Sequence, residues 1–195
     1  MRDNLVIILV GNRKTGKTDF IKPVIVNSNL PKKLIVDTFD SAVWRNLKTH
    51  DHLEWEHKEV PIVEMNQLEK WNSGTYRCFS SDTNKMMSTI QEHLQNCLIV
   101  FEDATKYVRS KLQEDVRKFV IDSKQKNLDI VFVFHSLTSV PPELAWISDL
   151  LVIKRTGEAL NKSLKDKFPV SEFVPAFEKV NNSKNRFEHK TIRLN

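Results

Sequence analysis

Five short runs of apolar and β-branched residues punctuate the chain: Leu5–Val10, Leu34–Val36, Cys97–Phe101, Ile130–Phe134 and Leu150–Ile153. None alternates apolar with polar positions, so each reads as a strand buried on both faces, the pattern of a parallel sheet. Two weaker runs, Val60–Val63 and Tyr76–Phe79, are candidate extra strands. Helical spacing fills the gaps. Asp19–Val26 predicts a helix that Pro23 shortens or kinks. Asp82–Gln95 opens on an aspartate and repeats apolar residues at Met86, Ile90 and Leu94. Val108–Asn127 sets Leu112, Val116, Phe119 and Val120 on one side, and Pro142–Ser148 reads as a short helix with an early proline. Strands alternating with helices predict an α/β fold in three layers, with a mostly parallel sheet and helices on both faces. No repeat or linker divides the chain, so residues 1–195 read as one domain. The tail from about Asn181 is polar and basic, and Arg186–Leu194 reads as an edge strand or a loosely held arm.

Composition narrows this picture. Hydrophobic residues make up 40% and charged residues 28%, which suits a soluble globular chain. Asp3 and Asn4 lead straight into a strand, so no secretory signal is expected, and every apolar run is too short to span a bilayer. A cytoplasmic protein, of a cell or of a virus's host, is the expectation. Cys78 and Cys97 provide no disulfide framework. The net charge of +5 is compatible with a polyanionic partner without requiring one.

The chemistry begins with glycine. The chain has only four, and two of them stand in Gly11-Asn12-Arg13-Lys14-Thr15-Gly16-Lys17-Thr18. This segment fits G-x-x-x-x-G-K-[ST] at every fixed position, between a predicted strand and a predicted helix. Such a loop cradles the phosphates of a nucleoside triphosphate with backbone N–H groups and the helix N-terminus. In that chemistry Lys17 bridges the β- and γ-phosphates, and the Thr18 hydroxyl binds magnesium. ATP and Mg2+ are the expected cofactors. Further along, Cys97–Phe101 ends in Glu102 and Asp103, two acids at the C-terminal edge of a strand. A hydrolase needs one carboxylate beside the metal and one beside the attacking water. Glu102 is assigned the first role and Asp103 the second, against a plainer reading in which the pair only caps the next helix. His135 and Ser136 end another strand. Either can sense the γ-phosphate or orient water, His135 while neutral, and a simple hydrogen-bonded strand end explains the histidine almost as well.

Taken in order, Gly11–Thr18, Leu98–Asp103, a long helix and Lys124–Ser136 resemble the additional-strand P-loop ATPases, and within them the FtsK/HerA-like group. The resemblance spans roughly residues 5–155 and makes these segments Walker A and Walker B motifs. The group includes DNA translocases, packaging ATPases of tailless icosahedral viruses and the ATPase domain of zonula occludens toxin-like phage proteins. The usual acid order there is Asp then Glu, the reverse of Glu102-Asp103. The resemblance implies that the His135 strand lies between the phosphate-loop strand and the Glu102 strand. It also implies a homo-oligomeric ring in which a neighbour supplies a cation. Lys124, Lys126, Arg117 and Arg109 are the candidates for that cation.

Lys106–Lys126 holds seven basic residues against three acidic ones. This suits DNA held by its phosphates without sequence reading, and equally a solvated helix face with pairs such as Glu114–Lys118. Basic residues Lys184, Arg186, Lys190 and Arg193 crowd the tail. His50, His52 and His57 match no common zinc spacing and read as a polar connection. The four tryptophans read as packing anchors in preference to base-stacking platforms, and Asp37 and Asp40, near the expected nucleotide edge, read as caps in preference to helpers of the site. The reading is a magnesium-dependent ATPase that assembles as a ring and moves or packages DNA. Its rivals are a nucleoside or nucleotide kinase, with Lys154 and Arg155 near an acceptor, and a nucleotide-gated binding module with little turnover.

Overall fold

Unbroken apolar runs offer no face to water, so each needs neighbours on both sides and cover above and below. The computed structural model, which describes residues 4–37, 39–47, 59–108 and 111–195, meets that need with one seven-stranded sheet. Its strands are β1 (Val6–Val10), β2 (Lys32–Val36), β3 (Gly74–Cys78), β4 (Cys97–Phe101), β5 (Leu128–Phe134), β6 (Leu150–Lys154) and β7 (His189–Arg193). They lie in the order β3-β2-β4-β5-β1-β6-β7. All pairings are parallel except β6 with β7, which is antiparallel. Strand β5 stands between β1 and β4, as the resemblance implies.

Side chains alternate between the two faces and form two separate cores. On one face, Leu9, Val131 and Val133 pack with Ile21 and Ile25 of α1 (Lys17–Asn27) and with Trp44. On the other, Ile8, Val10, Phe101, Phe132 and Phe134 meet α2 (Thr83–His93), α3 (Glu114–Asp122), α4 (Pro142–Ile147), α5 (Lys162–Lys167) and α6 (Phe173–Asn182). The three-layer arrangement is therefore present, with more helices on one face than on the other. Asn96 and Asn127, at φ 53° and 52°, turn the chain into β4 and β5. The Asn127 amide donates to Asn96 Oδ1 at 2.8 Å, locking the two turns together.

Several expectations change. Val60–Val63 is not a strand. It makes one isolated bridge, Ile62 to Arg77, on the outer edge of β3. The other weak run begins at Gly74 and ends before Phe79. The predicted helix over Val108–Asn127 contracts to Glu114–Asp122, because Ala104–Lys106 makes a separate 3-10 turn upstream and Ser123–Asn127 forms turns downstream. Helix α1 starts at Lys17 and runs through Pro23, whose missing N–H removes one bond without ending the helix. The basic tail resolves as an edge strand, β7, with Ile192 buried opposite Leu151. Trp44 and Trp71 are packing anchors, but Trp146 is 56% exposed and is not. Trp55, His50, His52, His57 and Arg109 lie outside the described residues.

The centre of the larger core is an aromatic stack. The rings of Phe101 and Phe132 lie 5.1 Å apart at 9°, and Phe119 meets Phe101 edge-on at 6.4 Å. Phe101 is fully buried one residue before Glu102. Phe101→Ala should cost about 3–5 kcal/mol of unfolding free energy, read by chemical denaturation.

Candidate functional site

Parallel pairing brings the C-terminal ends of β1, β4, β5 and β6 to one edge of the sheet, where such folds bind ligands. Residues 11–16 lead from β1 to α1 across this edge. Gly11 N donates to Phe134 O at 3.2 Å and Asn12 N to Arg155 O at 2.8 Å, so the loop is pinned to the ends of the strands on both sides. A Cβ on Gly11 would stand 2.7 Å from Lys154 Cβ and 2.8 Å from Thr15 Oγ1, which leaves room for glycine alone. Lys14 and Gly16 take positive φ, 62° and 75°, and these turns curl the backbone into the start of α1. Thr15 Oγ1 donates to Asn12 O at 2.8 Å and stiffens the curl. Asn12, Arg13 and Lys14 are exposed on its rim.

Lys17, the first residue of α1, is 7% exposed. Its Nζ donates to Gly11 O at 2.6 Å and Asn12 O at 3.0 Å, and lies 3.2 Å from His135 Nδ1. Burial pulls its pKa down to about 8, against the opposing pull of Glu102 and Asp103. Burial and the neighbouring Lys17 lower the pKa of His135 as well, so its ring is neutral at pH 7 and Nδ1 can accept a hydrogen bond from Lys17 Nζ. Glu102 follows β4 directly. Its carboxyl is pushed up to about 7, first by burial, with Asp37 and Asp103 adding to the rise and Lys17 opposing it. Glu102 Oε2 is buried and finds no hydrogen-bond partner among the described residues. Trp44 Nε1 lies near it, but neither atom reaches hydrogen-bond geometry with the other. Asp103 takes a left-handed conformation, φ 53° and ψ 63°, at the start of the 3-10 turn. Its carboxylate accepts from Thr105 Oγ1 at 2.5 Å and caps no backbone N–H. The simple capping reading of the acidic pair therefore fails for Asp103.

Thr18 is half-buried on the first turn of α1. Gly11–Thr18, Glu102, Asp103 and His135 thus meet at one edge. Ser136 stands beside them, but its Oγ accepts from Thr138 Oγ1 and from Ser139 N, both at 3.2 Å, within its own turn. Two residues that sequence reasoning missed hold that turn. Glu158 accepts from Leu137 N at 2.7 Å and Thr138 N at 2.9 Å. Lys167 Nζ donates to the carbonyls of Leu137, Thr138 and Val140 at 2.7–3.1 Å. No motif marks either residue, because their partners lie 20 to 30 positions away.

Lys124 and Lys126 precede β5 and sit at the opposite edge of the sheet from His135. Lys124 is exposed, and Lys126 Nζ is held by Gln91 O. Arg117 is exposed and lies 3.6 Å from Glu114. Asp37 Oδ2 accepts from Ser41 N at 3.1 Å, a cap-like bond. Asp40 instead receives Arg77 Nη1 at 2.7 Å and Arg45 Nη2 at 3.0 Å. Lys154 Nζ donates to Phe187 O, and Arg155 Nη2 to Ser183 O, so both basic residues considered for a kinase are occupied by the C-terminal loop. No helix among the described residues is long and apolar enough to cross a membrane, and they contain no cluster of His, Cys, Asp and Glu that could hold a metal.

The raised pKa of Glu102 has a definite sign for stability. Between about pH 4.5 and 7 the folded chain holds this proton more tightly than the unfolded chain, so its contribution falls as pH rises through that window. In metal-free buffer at pH 8, Glu102→Gln should therefore melt higher than wild type. Each 1 kcal/mol released corresponds to roughly 2–4 °C at this size. The difference should vanish near pH 4.5, as read by thermal unfolding across pH.

No family model matches the sequence, and no curated protein matches it. Solved structures do resemble the fold. The genome packaging NTPase B204 from Sulfolobus turreted icosahedral virus 2, in complex with sulfate, has a TM-score of 0.74 at 15% identity, covering 100% of this chain and 94% of that one. The same protein in complex with ATP-gammaS has a TM-score of 0.70 at 12% identity, with the same coverage. B204 from Sulfolobus Turreted Icosahedral Virus, described as a DNA-packaging ATPase, has a TM-score of 0.68 at 13% identity, again with that coverage. The chain thus has the α/β P-loop NTPase fold, in the form that these viral packaging NTPases also take.

Proposed function

We propose that this chain binds ATP with magnesium at the Gly11–Thr18 loop and hydrolyses it. The observation that carries the reading is Lys17, a cation buried against loop carbonyls and a neutral histidine, within the electrostatic reach of Glu102 and Asp103. A triphosphate would bring anionic oxygens into direct contact with Lys17, where the described hydrogen bonds supply only neutral acceptors. Lys17 would then hold the β- and γ-phosphate oxygens, with the loop backbone and the N-terminus of α1. The Thr18 hydroxyl and Glu102 are hard oxygen donors suited to magnesium. The unpartnered Glu102 Oε2 fits that role, since a cation would satisfy a buried oxygen that no described hydrogen bond reaches. Magnesium, when bound, supplies charge neutralisation for the phosphates.

Asp103 is the residue assigned to the attacking water. Its carboxylate takes part in an exposed bond with Thr105 and acts electrostatically on both Lys17 and His135, which supports this role. His135, neutral at pH 7, can report the γ-phosphate through the Lys17 contact, with Ser136 shaping the turn behind it. The B204 structures, one in complex with ATP-gammaS, support a nucleotide for this fold.

The biological reading is a ring-forming motor that translocates or packages DNA. It is supported by the likeness to the packaging NTPases and by exposed Lys111, Arg117, Lys118 and Lys124 on or beside α3. These side chains suit phosphate contacts without base reading. Lys124 and Arg117 are the exposed candidates for a cation acting on a neighbouring subunit, although Arg117 is paired with Glu114, and Lys126 is tied to Gln91.

Purified protein should release phosphate from ATP only with magnesium, and Lys17→Ala should lower the rate by about a hundredfold or more. Asp103→Asn should lose turnover while keeping nucleotide affinity, whereas Glu102→Gln should weaken the magnesium dependence of binding. Equal rates for wild type and Lys17→Ala would end the ATPase reading. Duplex DNA should raise the rate of a nucleotide-bound assembly larger than one chain. A monomer indifferent to DNA would remove the motor and leave the hydrolase.

A further inference from the structure

We propose that the loop between α6 and β7, residues 183–188, carries the surface on which the nucleobase packs, formed by Phe187 with Arg186. The inference rests on the nucleotide reading above and extends it to the far end of the ligand. The sheet order gives the direction. Glu102, Asp103 and His135 follow β4 and β5, on one side of β1. A triphosphate whose γ-end points toward them must send its nucleoside toward the other side, over β6 and β7. The 183–188 loop occupies that side.

The loop lies against the phosphate cradle itself. The Phe187 ring stands 3.0 Å from the position a Cβ on Gly16 would take. Hydrogen bonds hold its backbone at Ser183, Asn185 and Phe187. Phe187 N donates to Asn185 Oδ1 at 3.0 Å, and Phe187 O accepts from Lys154 Nζ at 3.1 Å. Asn185 N donates to Ser183 Oγ at 3.1 Å, and Ser183 O accepts from Arg155. Yet the ring that this scaffold fixes is 47% exposed. What sets Phe187 apart from the other exposed apolar side chains is its place, fixed against Gly16 with ring surface still open to a ligand. The Arg186 guanidinium sits 4.6 Å from the Phe187 ring centroid, so a planar cation and an aromatic ring stand together beside Gly16. Aromatic rings and guanidinium planes are the surfaces on which bases stack, whatever their sequence identity.

Isothermal titration with magnesium present, comparing ATP with inorganic tripolyphosphate, tests the assignment. Wild type should bind ATP about tenfold or more tightly than tripolyphosphate, the gain that stacking gives a base. Phe187→Ala should close that gap to within about twofold while leaving tripolyphosphate affinity unchanged, and Phe187→Tyr should restore it. Arg186→Ala should narrow it in part. A wild type that binds both ligands equally would overturn the base surface and leave the phosphate site standing, with no variant needed. Phe187→Ala weakening both ligands alike would also overturn it, since the ring would then only brace Gly16. A wild type that binds neither ligand would overturn this assignment and the nucleotide reading together.

Discussion

The site depends on a single lysine taken out of water. Lys17 gives up most of its hydration at the start of α1 and receives in return two loop carbonyls and one histidine nitrogen. Neutral acceptors do not fully replace water around an ammonium, which is why burial lowers its pKa to about 8. The backbone must be shaped to bring those carbonyls inward. The positive φ of Lys14 and Gly16, the contact that only glycine can make at residue 11, and the Thr15 bond to Asn12 all serve that shape. Strain at these positions is tolerated because β1, β5 and β6 over-determine where the loop begins.

The acids answer to the same charge. Glu102 and Asp103 raise the pKa of Lys17, and Lys17 lowers that of Glu102, but burial outweighs this attraction for both partners. The result is a cation and an acid that are each easier to neutralise than in water. Such paired perturbation is common where function outweighs stability. The aromatic stack beneath makes it affordable, since Phe101 and Phe132 fix the strand ends from which Glu102 and His135 emerge.

The central strands and the loop were legible in the sequence because their signals are local. A run such as Cys97–Phe101 must be buried on both faces, and Gly11–Thr18 states its backbone requirement residue by residue. The position of the His135 strand came from resemblance and not from periodicity. Local signals failed where tertiary contacts decide. Val60–Val63 has strand-like residues but only one bridge to β3. The pattern from Val108 to Asn127 continues through turns that tertiary packing ends early, leaving a helix of nine residues. Trp146 has a packing residue's chemistry on a short helix whose buried positions include Leu144 and Ala145.

The least legible part of the site is the part the last forty residues build. Glu158 and Lys167 secure the turn that follows His135, from the N–H side and the carbonyl side respectively. Asn181 Oδ1 accepts from Thr156 N and Gly157 N, and Arg155 and Lys154 reach onward to Ser183 and Phe187. The left-handed Gly157 brings the chain so close to the Gly11–Thr18 loop that a Cβ there would stand 3.0 Å from Asn12 Nδ2. These bonds connect the histidine turn, β6 and the C-terminal loop into one polar frame around the Gly11–Thr18 loop. Each partner is an ordinary polar residue whose role exists only once β6 and β7 are paired. A charged tail can therefore look like a solvated appendage in the sequence and still be built into the fold, because its backbone carbonyls accept from side chains that the sheet has already fixed.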